Sequence, residues 1–366
     1  MIVRDVCDVV ERLAPLGFAY EWDRSGLNIG DPGAEVDCVL VALTVTRPVL
    51  DAACKAGAQM IVSHHPVLWE PLKTLRTDDP ATRLCLDLAQ AGIACYAAHT
   101  NLDVTPGGVN DILADRLGLR NRAPLFPMPR DGQVKLVTFV PESHLDAVRD
   151  AVCAAGAGVI GPYTHCTFSA PGTGTFHPSE AANPYSGEKN RINEEPERRF
   201  ETLVTAARLP WVLDALRAAH PYESVAYDVV CLDNRDPAIG LGVRGELEQP
   251  VALDVFARQA CAALEVSHVR VSGDPGRMVQ RVAALGGAGG GEAARVPAGI
   301  DVYLTGDIEY HDARAAEERG LAVVDAGHAG TEKWIVPELA RYIEHALPSL
   351  RVETFAEPET FRVVTE

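Results

Sequence analysis

Four places in the sequence set metal-ligating or proton-transferring side chains directly after an apolar run. Met60-Ile61-Val62 leads into Ser63, His64 and His65, and the run from Gly92 to Ala98 leads into His99 and then Asp103. Asp301-Val302-Tyr303-Leu304 leads into Thr305 and Asp307, and the run from Leu321 to Val324 leads into Asp325, His328 and Glu332. Short apolar runs closed by polar residues read as buried strands, and Pro66 ends the first because it has no N–H to donate. Neighbouring strand side chains point to opposite faces, so the adjacent His64 and His65 suit two different metal ions better than one. His328 and Glu332 stand four apart, a spacing that lets one helical face present an imidazole and a carboxylate to one site. Three imidazoles with two carboxylates form a ligand set for two divalent ions of the Zn, Fe or Mn kind. Such ions can share a carboxylate and acidify a water held between them.

Each residue also has a plainer reading. A single histidine at a strand end is more often a satisfied core or cap residue than a ligand; the metal expectation rests on the four ends together. Asp307 and His311 read equally well as groups that support the ligands or as helix-cap and surface residues. The loop YEWDRSGLNIGD, residues 20 to 31, is as readily a plain connector. The run GGAGGG at 286 to 291 matches no phosphate-binding pattern, so a tight turn with close backbone approach is expected there. No GxSxG elbow and no cysteine-nucleophile signature is present. Pro337 lies five residues past Glu332 and would kink a helix through both. Either that helix begins near Thr331 and bends, or Glu332 sits in an irregular first turn.

The elements that must position these groups follow an α/β rhythm. A helix is expected over 1 to 17, a strand over 37 to 43, a helix over 47 to 57, the His64 strand, a helix over 80 to 91, the His99 strand and a helix to about Leu117. This order, with polar residues at strand C-termini, is that of a mostly parallel sheet, which gathers its ligands at one edge. Pro and Arg punctuate 120 to 131, a predicted boundary. Beyond it, strands at 134 to 140, 200 to 207 and 225 to 230, helices at 142 to 155 and 210 to 219, and a long Gly/Pro-rich segment at 156 to 199 suggest strand–helix–strand–strand–helix–strand order. That order suits a small ferredoxin-like α+β domain carrying an inserted loop. After Asp236-Pro237 the α/β rhythm resumes with a helix at 250 to 263, strands at 268 to 271 and 279 to 285, the two loaded strands and a closing helix. The reading is one α/β domain, residues 1 to 124 and 237 to 366, split by an insert at 125 to 236.

At 366 residues the chain is too long for one ordinary core. Lys and Arg number 33 against 51 Asp and Glu, a net charge of −18 that argues against nucleic acid or anionic lipid as partner. No stretch is long and apolar enough for a membrane span, and MIVRDVCDVVERL opens an amphipathic helix rather than a signal peptide; a cytoplasmic protein is expected. The nine cysteines are scattered with no CxxC pair, against a disulfide framework and a structural zinc knuckle.

With these residues in view, SHHPVLW, AAHTNLD, GGVND, TGDIEYHDA and GHAGTE together resemble the Nif-three-like family, also called GTP cyclohydrolase I type 2 homologues. The resemblance covers both halves of the split domain, and YTHCTFSAPGTGTFHP at 163 to 178 extends it to the insert of the longer bacterial members. It implies a dinuclear metal site with His64, His65, Asp103, His328 and a bridging Glu332 as ligands. It also implies a toroidal homohexamer built from trimers, and an insert similar to PII/CutA-like trimerising domains. His99, Asp307 and His311 fall in matching motifs as pocket residues and are the expected catalytic groups, with His99 or His311 moving protons. The expected activity is metal-dependent hydrolysis of a small nucleotide-like or heterocyclic substrate; the alternative is a non-enzymatic metal-binding or regulatory assembly whose insert senses a ligand. One departure stands out: where the family usually reads LDVT, this chain has Leu43-Thr44-Val45-Thr46, a hydroxyl in place of a carboxylate.

Overall fold

A computed structural model describes residues 1–128, 132–234 and 236–364. The chain forms two compact units, one of Met1–Met128 with Pro237–Glu366, the other of Pro129–Asp236. The strands of the first half are β1 (Gly26–Ile29), β2 (Cys38–Ala42), β3 (Met60–Ser63), β4 (Ala94–Ala97) and β5 (Arg120–Pro127). The insert carries β6 (Gln133–Pro141), β7 (Thr167–Phe176), β8 (Asn193–Thr205) and β9 (Tyr227–Cys231). The second half adds β10 (Gly240–Ala252), β11 (Arg270–Ser272), β12 (Met278–Ala284), β13 (Val302–Thr305), β14 (Ala322–Asp325) and β15 (Arg351–Thr354).

The first unit contains a five-stranded sheet, order β1-β4-β3-β2-β15, and a six-stranded sheet, order β11-β14-β13-β12-β10-β5. In the five-stranded sheet β4, β3, β2 and β15 run parallel and only the edge strand β1 is antiparallel. Its central strands are apolar on both sides, because helices cover both faces. Val39, Val41, Met60, Val62, Ala94 and Tyr96 enter one core, while Cys38, Leu40, Ala42, Ile61 and Cys95 enter the other. The six-stranded sheet is only partly the parallel one expected: β12, β13 and β14 pair parallel, but β11 joins β14, β10 joins β12 and β5 joins β10 by antiparallel pairing. The same two-sided burial holds at its centre, with Val302, Leu304 and Val324 on one face and Tyr303 and Val323 on the other.

Residues 120–127 are not a linker but the edge strand β5, paired to β10, so the first unit runs to Met128 rather than ending at 124. The rest of that expected boundary, 129–131, lies outside the described residues. The strands β1, β10 and β15 have no counterpart in the pattern read from the sequence; β1 lies inside the stretch 20 to 31 read as a loop. In the insert, the segment at 156 to 199 is not one irregular loop: it holds β7 and the first half of β8, paired from Thr167↔Thr202 to Phe176↔Asn193. The insert's antiparallel sheet, order β7-β8-β6-β9, has the ferredoxin-like arrangement, with the helices Leu145–Ala154 and Leu209–Ala219 packed on one face. Among the described residues no helix is long and apolar enough to cross a membrane.

Candidate metal centre

The loaded strand ends of the first unit meet. The chain leaves β3 through His64 and His65, still bonded by their N–H groups to the carbonyls of Ala42 and Leu43. It leaves β4 through His99 into the short helix Thr100–Val104, which carries Asp103. From β14 it passes Gly327 into the helix His328–Glu332. The kink expected from Pro337 is resolved as a break: a second helix, Ile335–Ala346, starts afresh with Pro337 in its first turn. Glu332 is therefore the last residue of a separate helical turn and is buried.

Every imidazole in the cluster has its Nδ1 held from behind. His64 Nδ1 lies 2.7 Å from the Ala98 carbonyl oxygen, His328 Nδ1 2.7 Å from Asp307 Oδ2, and His99 Nδ1 2.7 Å from Asp23 Oδ1. These partners only accept, so each Nδ1 carries a proton and Nε2 is the nitrogen left to bind a cation, the arrangement that orients a metal-ligating histidine. His65 Nδ1 lies 2.8 Å from the Thr44 hydroxyl. The Nε2 atoms converge on Glu332. Its Oε2 is 3.0 Å from His65 Nε2 and 3.1 Å from His328 Nε2, while its Oε1 is 3.6 Å from His64 Nε2. On the far side His64 Nε2 lies 3.6 Å from Asp103 Oδ1.

His64 Nε2 and Asp103 Oδ1 are buried without a hydrogen-bond partner. Orphaned buried donors and acceptors are costly, and both atoms are of the kind that bind a divalent cation. Among the described residues, three groups of potential ligand atoms each lie within 4.8 Å of one another: His64 with Asp103 and Glu332, His65 with His328 and Glu332, and His64 with His65 and His99. The residues present therefore fit a metal centre. With no cation, protons hold the site together. Burial opposes charge on His64, but Asp103 and Glu332 outweigh it and hold its pKa up at about 9. Hydrogen bonding to Glu332 likewise raises His328 to about 9. Burial lowers His65 and raises Asp103 to about 6, whereas Glu332, despite burial, is held well below the usual carboxylate range by His328, His64 and His65.

The remaining expected site residues divide. Asp307 reaches the cluster through His328, as above. Asp325 is a scaffold group: it pairs with Arg270 and accepts the N–H groups of Ile308 and Gly327, pinning the two loops that carry Asp307 and His328. Thr305 is buried against the Gly287 carbonyl. His311 is exposed on the helix Tyr310–Glu318, its ring against Tyr310, outside the convergent groups. The glycine run does provide a close approach. A Cβ on Gly287 would sit 2.2 Å from Glu332 Oε1, and its φ of 73° also disfavours a side chain.

The loop at 20 to 31, read as equally a connector, holds residues that the sequence alone did not single out. Asp23 accepts hydrogen bonds from His99, the Ser25 and Thr100 hydroxyls and the Thr100 N–H. Burial would raise its pKa, but these donors hold it far below the carboxylate range. Trp22 and Trp69 are more than half exposed, and both stand edge-on to His99 with ring centroids 6.3 and 5.5 Å away. The only advance signal was the loop's density of Asp, Ser, Gly and Asn.

Residues 1–360 match the family model of Duf34/NIF3 (NGG1p interacting factor 3). This chain belongs to the NIF3 family. A relative from Halalkalibacterium halodurans named GTP cyclohydrolase 1 type 2 homolog is 40% identical over 350 residues, 95% of this chain and 94% of the relative. One of the same name from Bacillus subtilis is 40% identical over 326 residues, 89% of this chain and 87% of the relative. Among solved structures, a Bacillus cereus protein related to NIF3 superposes with a TM-score of 0.86 at 38% identity, covering 100% of this chain and 99% of that one. Staphylococcus aureus protein SA1388 gives 0.72 at 27% identity, with the same coverage. In this NIF3-family chain the five residues implied as ligands by the motifs, His64, His65, Asp103, His328 and Glu332, all lie in the convergent groups, and His99 joins them.

Proposed function

We propose that this NIF3-family protein is a dinuclear metal-dependent hydrolase acting on a small nucleotide-like or heterocyclic substrate. The observation that carries the reading is Glu332: its two oxygens face separate ligand groups, Oε1 toward His64 and Oε2 toward His65 and His328. A carboxylate so placed suits two ions, one with His64 and Asp103, the other with His65 and His328. Zn, Fe or Mn in these positions would supply Lewis acidity and a water of lowered pKa. His99, its Nδ1 fixed on Asp23, is placed to move a proton through its other nitrogen. The exposed faces of Trp22 and Trp69 beside it suit a planar heterocycle. The name of the relatives suggests GTP ring opening as the specific reaction; the residues support the wider class, attack at a polarised C=N, amide or phosphoester centre. The test is turnover of a nucleotide panel by metal-loaded, chelated and Glu332→Ala protein. Loss of turnover on chelation, recovery on adding metal back, and none in the variant are expected; turnover unaffected by chelation would contradict the reading.

We infer further that the chain assembles as a toroidal homohexamer, with the insert, in its ferredoxin-like arrangement, acting as a PII/CutA-like trimerising unit. A second reading, a regulatory metal-binding assembly with a ligand-sensing insert, is favoured by one feature. The insert carries an open cavity of about 830 Å³ whose lining includes Phe139, Tyr185, Tyr222, Glu197 and Arg199. Deleting 130 to 231 should then change assembly or ligand response and leave the metal content intact; loss of metal would contradict it.

A further inference from the structure

We propose that the open cavity of the insert binds a small organic cation, an ammonium or guanidinium group carried on an apolar body. The site is carried by its own geometry; that its ligand acts as a signal rests on the regulatory reading above. The strand register makes the space. On β8, Glu195, Glu197 and Arg199 alternate with the core residue Phe200, so they point to the face away from the helices. Directly across from them β7 offers Gly174, Gly172 and Ala170, and β6 offers Phe139 opposite Arg199. Residues paired across strands share a face, so a strand almost bare of side chains lies beside two carboxylates. A Cβ on Gly174 would sit 2.3 Å from Glu197 Oε2. That close approach accounts for a glycine where it otherwise weakens a strand.

The chain after β7 folds back to complete the lining. Its Ser186 hydroxyl donates to Glu195 Oε2 at 2.6 Å, and its Asn183 N–H donates to Glu223 Oε1 at 2.9 Å. Tyr222 donates its hydroxyl to Glu197 Oε1 at 2.7 Å, and the Tyr185 ring stands 5.9 Å from the Tyr222 ring, tilted by 46°. The space of about 830 Å³ is that of a small-molecule site, with aromatic rings and the carboxylates of Glu197 and Glu223 in its lining. Among the described lining residues Arg199 is the one Lys or Arg, and its Nε donates to Glu201 Oε1 at 2.7 Å. A phosphate or carboxylate ligand would therefore face two carboxylates and a cation that is already paired. A cation instead meets carboxylates able to accept further donors and the electron-rich rings of Phe139, Tyr185 and Tyr222.

The test is calorimetric titration of full-length, ion-free protein at neutral pH with phenethylamine, its uncharged isostere phenethyl alcohol, agmatine and AMP. Both amines should bind once per chain. Phenethyl alcohol should bind roughly tenfold or more weaker than phenethylamine, the loss expected when a charged hydrogen bond is forgone. Glu197→Gln keeps an acceptor for Tyr222 and should weaken amine binding by a similar factor, while Tyr185→Ala should weaken it roughly 2- to 30-fold. Ala170→Leu fills the space without altering a charge and should also reduce binding; melting temperatures check that each variant folds. No amine binding at millimolar concentration, or alcohol bound as tightly as amine, would overturn the proposal. So would amine affinity unchanged in both Glu197→Gln and Tyr185→Ala. AMP bound in the insert, lost in Tyr185→Ala and shifting zinc affinity or assembly, would overturn the ligand class and keep the regulatory reading. Amine binding that leaves zinc affinity and assembly unchanged would uphold the site and overturn its use as a signal.

Discussion

Replacing Glu332 by Gln keeps the shape of the side chain and removes its charge, so its effect on the ion-free protein measures what that charge does. Glu332 is 4% exposed and lies 3.0, 3.1 and 3.6 Å from the Nε2 atoms of His65, His328 and His64. Removing one charged partner from a buried, hydrogen-bonded set costs roughly 3–5 kcal/mol. At roughly 2–4 °C per kcal/mol for a domain of this size, the melting temperature should fall by about 10 °C. The pH dependence is the sharper part. His64 and His328 have pKa values raised from 6.5 to about 9, so their contribution is full below 6.5 and lost as pH rises through 9. Glu332 is held well below its ordinary 4.5, so its contribution is full above 4.5 and lost only as pH falls through its lower folded value. The gap between wild type and variant should thus be widest between about pH 4.5 and 6.5 and close toward pH 9. Calorimetry of both proteins in chelator across that range checks it. A gap that is constant with pH, or that widens above pH 9, would refute the reasoning.

Cation binding must displace the protons on His64 and His328, whose pKa values are about 9. The logarithm of zinc affinity should rise with pH, with a slope of roughly one to two, and level off above that value, as competition titrations would show. Asp23→Asn removes the carboxylate behind His99 without touching the groups around Glu332. It should lower turnover by about a hundredfold or more with metal content unchanged, read by kinetics beside elemental analysis. Trp22→Ala and Trp69→Ala should each weaken binding of a planar heterocycle by roughly 5- to 150-fold, the range for loss of one stacking face, measured as a rise in KM or dissociation constant.

The loaded strand ends were legible because burial on both faces leaves an uninterrupted apolar run, and a polar residue after such a run has nowhere to go but the sheet's edge. His64, His99, Asp103, His328 and Glu332 could all be found that way. The strand β7 was not legible, because TFSAPGTGTF carries the glycines and proline of a loop and is held by its pairing to β8 rather than by its own apolar face. Strand β10 was hidden for a similar reason: its burial alternates irregularly between Gly, Glu and Val. Asp23 was invisible because its role depends on the return of β4 against its loop, which brings it to Thr100, 77 residues later. Thr44 is the instructive case. The sequence marks a missing carboxylate there, while the structure brings one back in Glu357, 313 residues along the chain. Such a long-range substitution leaves no local pattern to read.

The most direct test of the metal centre is elemental analysis of protein purified without chelator, wild type beside the double variant His65→Ala/Glu332→Ala. Wild type should carry about two divalent ions per chain, and the variant should lose them. Wild type free of divalent ions, or a variant that keeps them in full, would contradict it.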